Sequence, residues 1–154
     1  NPKSDPNTLC QIQGIPRLLY TAYPFLILHF QTHVDFVHEV NHTFRIARVG
    51  KPLDPESDIL WLGNPTARME DQTLVIDSIN FNEKTWLDYR GLPHGEKLKT
   101  QERYTLAADG QTIKGTVLID DPDYYARPWT TAFTLKKLPG ATLRESTCAD
   151  DHRM

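Results

Sequence analysis

Residues 33–49 read HVDFVHEVNHTFRIARV, two short alternations of apolar and polar residues on either side of Asn41-His42-Thr43. A period of two is the mark of a half-buried strand, and a polar triplet between two such runs is a turn. The stretch is therefore a β-hairpin. The apolar parity predicts that Val34, Phe36 and His38 point to the core and Asp35 and Glu39 to solvent. In the second strand the same logic carries His42, Phe44 and Ile46 inward and Arg45 outward. Asn41-His42-Thr43 also matches an N-glycosylation acceptor, but turn chemistry already accounts for these residues.

Outward from the hairpin, no long 3.6-residue period appears, whereas short β-branched and aromatic runs bounded by turn residues recur. They predict strands at 24–31, 33–40, 42–49, 59–62, 67–70, 73–78, 98–106, 112–119, 129–138 and 142–147. Ala108-Asp109-Gly110 and Pro139-Gly140 read as hairpin turns, so consecutive strands are expected to be antiparallel neighbours. About eight strands with no helix to cover a sheet face predict an all-β fold: a single antiparallel β-barrel, lipocalin- or calycin-like, with a two-sheet sandwich as the alternative. At 154 residues the chain is expected to form one domain, 1–154. Within it, 1–22 is an irregular lead-in punctuated by Pro2, Pro6, Gly14 and Pro16, and 23–148 is the barrel.

An apolar fraction of 39% with a charged fraction of 24% argues against disorder, and a formal charge of -3 against a nucleic-acid-binding footprint. The best apolar run, 18–30, is broken by Tyr20, Thr21, Tyr23, Pro24 and His29, so no membrane span is expected. The start at Asn1, without Met or an apolar signal segment, suggests a processed product. Cys10 and Cys148 lie near opposite ends of the chain; the cysteine count leaves open whether they pair or stay as separate thiols.

Three groups of residues invite chemistry. His29, His33, His38 and His42 are close in sequence, yet their spacing runs across hairpins and matches no ligand motif, so no metal or other cofactor is assigned. Asp120-Asp121-Pro122-Asp123 is dense in hard oxygen ligands but fits no EF-hand spacing and reads as a loop, with Tyr124, Tyr125 and Trp129 beside it. The third is FNEKTWLDYRGLPHGEKLKTQERY at 81–104. If this segment crosses a barrel mouth, Trp86, Asp88 and His94 hang over the opening, and Glu102 and Arg103 begin the next strand. A carboxylate beside an imidazole fixes its tautomer and raises its pKa, as a general base requires. No serine or cysteine sits in a nucleophile motif, and no glycine loop suits a phosphate.

CQIQGIPRLLYTAYPFLILHFQTHVDFVHEVNHTFRIARVGKPL, GNPTARMEDQTLVIDSINFNEKTWLDYRGLPHGEKLKTQERYT, IDDPDYYARPWTT and a late ESTC together resemble a large family of uncharacterised exported bacterial proteins, common in soil proteobacteria and acidobacteria. The likeness covers nearly the whole chain. It implies that Cys10 and Cys148 form a disulfide and that the protein is periplasmic or secreted. It also implicates Arg17, His42, Arg45, Glu70, Asn82, Trp86, Asp88, His94, Glu102, Arg103, Asp121, Tyr125 and Trp129. Asn64 stands where the family has His, Met69 where it has Trp, and Asp71-Gln72 where it has Gly-Asp.

These readings combine into one expectation: an exported barrel that binds a small apolar or aromatic molecule at its mouth. Catalysis there would be metal-free acid–base chemistry, an elimination, isomerisation or hydrolysis, carried by His94, Asp88, Glu102 and His42. Arg45, Asn82, Trp86, Arg103, Tyr125 and Trp129 would hold the ligand or substrate. The alternatives are a carrier without chemistry and an interaction module, the latter marked by a filled barrel with an exposed aromatic patch. The partner is then a small molecule rather than nucleic acid, with a homodimer as the oligomer considered.

Overall fold

The computed structural model describes residues 5–146 and 148. Its strands are β1 Phe25–His29, β2 His33–His38, β3 Phe44–Val49, β4 Asn64–Glu70, β5 Thr73–Ile79, β6 Lys99–Leu106, β7 Thr112–Asp120 and β8 Trp129–Lys136. They lie in sequence order in one eight-stranded sheet that curls into a half-barrel, so the all-β reading holds. The sheet is mixed rather than wholly antiparallel: β3 and β4 run parallel and pair only at Arg48 with Thr66 and Val49 with Ala67. Of the remaining expected strands, 59–62 contributes a single bridge from Leu60 to Phe81. Residues 142–146 form no strand, and Thr147 lies outside the described residues. Among the described residues, no helix is long and apolar enough to cross a membrane.

β1 and β8 end the strand order and do not pair with each other. The lead-in is tied to both sides of this seam. A 3-10 turn at Arg17–Tyr20 is followed closely by β1, while the Tyr20 hydroxyl donates to Thr131 Oγ1 on β8 at 2.8 Å. Ile15, Leu18 and Leu19 are buried in the same core cluster as the strands. Cys10 and Cys148 form a disulfide that ties this lead-in to the far end of the chain.

Inward residues follow the two-residue period and meet in rungs: Ala67, Ile76, Glu102 and Val117 on one, Thr100 between Ser78 and Ile119 on another. Phe36, Tyr104 and Phe133 fill the space between opposite walls, with ring centroids 5.6 Å and 5.1 Å apart along the series. The concave side is thus packed with side chains.

The parity of β3 differs from the sequence reading. The turn contains four residues, 39–42, so that His38 N–H donates to the Thr43 carbonyl at 2.8 Å and Arg45 lies opposite Phe36. Asn41 and His42 make this turn with left-handed φ values of 51° and 48°. An in-phase hairpin would have paired His38 with His42; one added residue reverses every side chain that follows. Arg45 is therefore inside, 4% exposed, while Phe44 and Ile46 are outside at 67% and 48%. His42 is exposed in the turn rather than in the core.

Candidate functional site

Inside the half-barrel, the Arg45 guanidinium meets the Glu102 carboxylate at two points, Nη2 to Oε2 at 2.9 Å and Nη1 to Oε1 at 2.8 Å. Tyr104 donates its hydroxyl to Glu102 Oε2 at 2.5 Å, and Arg45 lies over the Phe36 ring at 4.7 Å. Burial pushes the Tyr104 hydroxyl well above the usual phenol range, with the neighbouring Glu102 charge acting in the same direction. His38 stacks on Phe25 at 4.6 Å; burial, with Arg45 adding to it, lowers its pKa to about 3, so it is neutral. Arg45 is neutralised by its partner, which leaves it poorly suited to hold an anionic ligand. Glu102 is equally committed and is not a free base.

The roof is built by residues 80–98 and the loop after β7, and here the expected mouth residues separate. Asn82 Oδ1 accepts from the Lys84 amide at 3.0 Å, and Asp88 Oδ1 from the amides of Arg90 and Leu92 at 2.9 and 3.0 Å. These are turn-closing bonds. His94 is 1% exposed; its Nδ1 lies 3.1 Å from the Gly95 carbonyl and its Nε2 2.7 Å from Thr85 Oγ1. A carbonyl can only accept, so Nδ1 carries the proton and Nε2 accepts from the threonine. Burial lowers the His94 pKa, consistent with this neutral tautomer. Asp121 supports the same corner by accepting from the amides of Gly95 at 2.7 Å and Asp123 at 3.1 Å.

Trp86 lies beside Arg17, whose guanidinium is 5.8 Å from that ring and 4.7 Å from the Tyr89 ring while pairing with both oxygens of Asp5 at 2.7 and 2.9 Å. Tyr125 meets Trp129 edge-on at 5.7 Å and donates to the Pro93 carbonyl at 2.7 Å. Arg103 is on the outer surface, paired with Glu70 at 2.8 Å; Arg68 joins Glu70 and Asp77 there. The thirteen implicated positions thus fall into an interior pair, a roof that Arg17 of the lead-in and Trp129 of β8 contact, an outer ion-pair stripe and an exposed turn. Among the described residues, no three His, Cys, Asp or Glu converge to hold a metal ion; His29 and His42 are exposed and His38 faces the interior.

Two features were not singled out in the sequence. The first is a set of buried polar atoms with no hydrogen-bond partner among the described residues, Ser78 Oγ and Thr100 Oγ1, joined by Nε1 of Trp129, a residue the sequence does single out. Ser78 pairs with Thr100, Thr100 with Ile119 and Ile119 with Trp129, so the three occupy one interior rung.

The second is the convex face of β1–β3. Leu26, Val37 and Phe44 lie in register across it, as do Leu28, Asp35 and Ile46. Leu26, Leu28, Phe30, Phe44 and Ile46 are all exposed. This face borders a surface cleft of about 440 Å³ where β3 and β4 diverge, floored by Ile46, Arg48 and Pro65 and walled by Asp54, Glu56 and Asp58. The wall is held in shape by Asn80, whose Nδ2 donates to the Ser57 carbonyl at 2.9 Å, and by Asn64, whose Nδ2 donates to the Asp58 carbonyl at 2.5 Å. Comparison of the chain with known protein families, curated proteins and solved structures returns no match.

Proposed function

We propose that the protein is a non-enzymatic interaction module, periplasmic or secreted, whose binding face is the convex surface of β1–β3 and the adjoining cleft. The observation that carries this reading is the reversed parity of β3, which turns Phe44 and Ile46 to solvent beside Leu26 and Leu28 while the concave side is filled. A sheet face normally turns its apolar parity inward, and a contiguous apolar patch with a polar rim marks a surface that is covered in use. The roof supports the same reading: both nitrogens of His94 and a carboxylate oxygen of Asp88 are occupied by local bonds, so they serve the loop. The disulfide suits folding in an oxidising compartment.

The test is selection of displayed random peptides on the wild type and on the double variant Phe44→Asp/Ile46→Asp. An enriched motif that the folded double variant no longer retains supports the module. Its persistence on the variant, or no enrichment at all, sinks it.

The unpartnered atoms of Ser78, Thr100 and Trp129 favour a second reading, a small neutral apolar or aromatic molecule held in the interior by hydrogen bonds at that rung. Thermal-shift screening with neutral aromatic alcohols, ketones and amides distinguishes it. Saturable stabilisation abolished by Thr100→Val argues for a carrier, and a flat response across the panel argues against one.

A further inference from the structure

The cleft has a covalent cause. Val49 N–H donates to the Thr32 carbonyl at 2.9 Å and His38 N–H to the Thr43 carbonyl at 2.8 Å, which fixes the odd-numbered residues of β3 as the ones bonded to β2. The amides and carbonyls of Phe44, Ile46 and Arg48 therefore point the other way, towards β4. Arg48 pairs with β4, and Gly50 N–H donates to the Ala67 carbonyl at 3.3 Å. Extending this parallel ladder by one step would require the Ile46 carbonyl to accept from residue 65. Residue 65 is proline and has no N–H. The ladder stops there: β4 pairs with no residue of β3 before Arg48, Ile46 lines the cleft, and Phe44 lies on the same unpaired stretch just beyond it.

The facing wall gives that edge a preference. Asp54, Glu56 and Asp58 line it, and the carboxylates of Glu56 and Asp58 form no ion pair among the described residues. Arg48, on the floor of this cleft, also borders a second shallow groove with Lys51 and His33, so the carboxylates are on the 54–58 wall and the basic groups on the β3 side. We propose that this cleft binds an extended peptide segment that adds as a strand to the open edge of β3, with apolar side chains on Phe44 and Ile46 and one or two lysines or arginines against the Asp54–Asp58 wall. Main-chain hydrogen bonds to Phe44 and Ile46 would supply register, and the wall would select charge. This rests on the interaction-module reading and names its partner class.

The experiment is an amide-detected NMR titration of the full chain with a short capped peptide alternating lysine and valine. Comparison peptides replace lysine by glutamate or carry N-methyl groups on alternate residues in either frame. The expected result is signal shifts at Phe44, Ile46 and residues 54–58, with slowed exchange of the Phe44 and Ile46 amides. The glutamate peptide should bind about tenfold more weakly or worse, and one N-methylated frame should not bind. Glu56→Gln/Asp58→Asn, which removes no side-chain bond among the described residues, should weaken the lysine peptide by about tenfold. Equal binding of the lysine and glutamate peptides, tolerance of both methylated frames, or shifts confined to other surfaces overturns strand addition. If that happens while display selection still enriches a motif lost on Phe44→Asp/Ile46→Asp, the module stands and only its partner class falls. If selection fails as well, both fall.

Discussion

Glu102 sits at 0% exposure, held by Arg45 and Tyr104. Removing one member of a buried ion pair leaves the other uncompensated, whereas replacing both by apolar groups restores packing. Glu102→Gln is therefore expected to cost about 3 kcal/mol, and Arg45→Met/Glu102→Leu to lie within about 1.5 kcal/mol of wild type or above it; urea denaturation measures both. His38 gives stability a pH dependence. Its pKa in the fold, about 3, is below the ordinary 6.5, so the unfolded chain takes up the proton first as pH falls. Stability is complete above pH 6.5 and is lost between 6.5 and 3, by up to about 1.4 kcal/mol per pH unit for one imidazole. His94 is shifted in the same direction by burial and adds to the slope. His38→Phe, which preserves the stack on Phe25, should flatten part of this dependence in thermal melts between pH 7 and 4. An unchanged slope would show that His38 is not neutral in the fold.

At the scale of elements, the clearest packing constraint is β7 against β8. A Cβ at Gly115 would lie 2.1 Å from Phe133 Cζ and 2.6 Å from the Arg103 carbonyl, and the backbone cannot move aside as a flexible side chain would. Gly115→Ala should destabilise by about 2 kcal/mol or more by chemical denaturation. The strands themselves were legible in the sequence because alternation and turn residues are local. What alternation could not give was the phase of β3, since a two-residue period defines two faces without saying which one is buried, and the deciding feature was the length of the turn at 39–42. Nor could it show that β4 returns parallel to β3 after the long 51–63 connection. The same limit applied to the site. Arg45 and Glu102 were both picked out, but for separate roles; they are 57 residues apart and meet only through the curvature of the sheet. His94 and Asp88 drew notice as chemical residue types, yet each is satisfied by backbone and side-chain partners within nine residues of itself.

For the whole molecule, the half-barrel is open in two places: at the seam between β1 and β8, which the lead-in spans, and along the first part of β3, ahead of Arg48, where β4 does not pair with it. The disulfide secures the first. Cys10 and Cys148 are 138 residues apart, and closing a loop of that length removes about 5 kcal/mol of unfolded-chain entropy in the chain-entropy model. Reduction, or Cys10→Ser/Cys148→Ser, should lower stability by about 2–5 kcal/mol, read as a fall in the thermal midpoint. The second opening is the proposed binding face. Phe44→Asp, made on a strand whose side chain already faces water, should change folding stability by no more than about 0.5 kcal/mol. The proposed site requires β3 to have its apolar side chains outward and one main-chain edge free. Residue-resolved hydrogen exchange on the free protein tests this directly. Slow exchange is predicted at Arg45 and Ala47, which bond to β2, with exchange faster by about tenfold or more at Phe44 and Ile46. Uniform protection along 44–47, or the opposite alternation, would contradict the open edge and with it the proposed site.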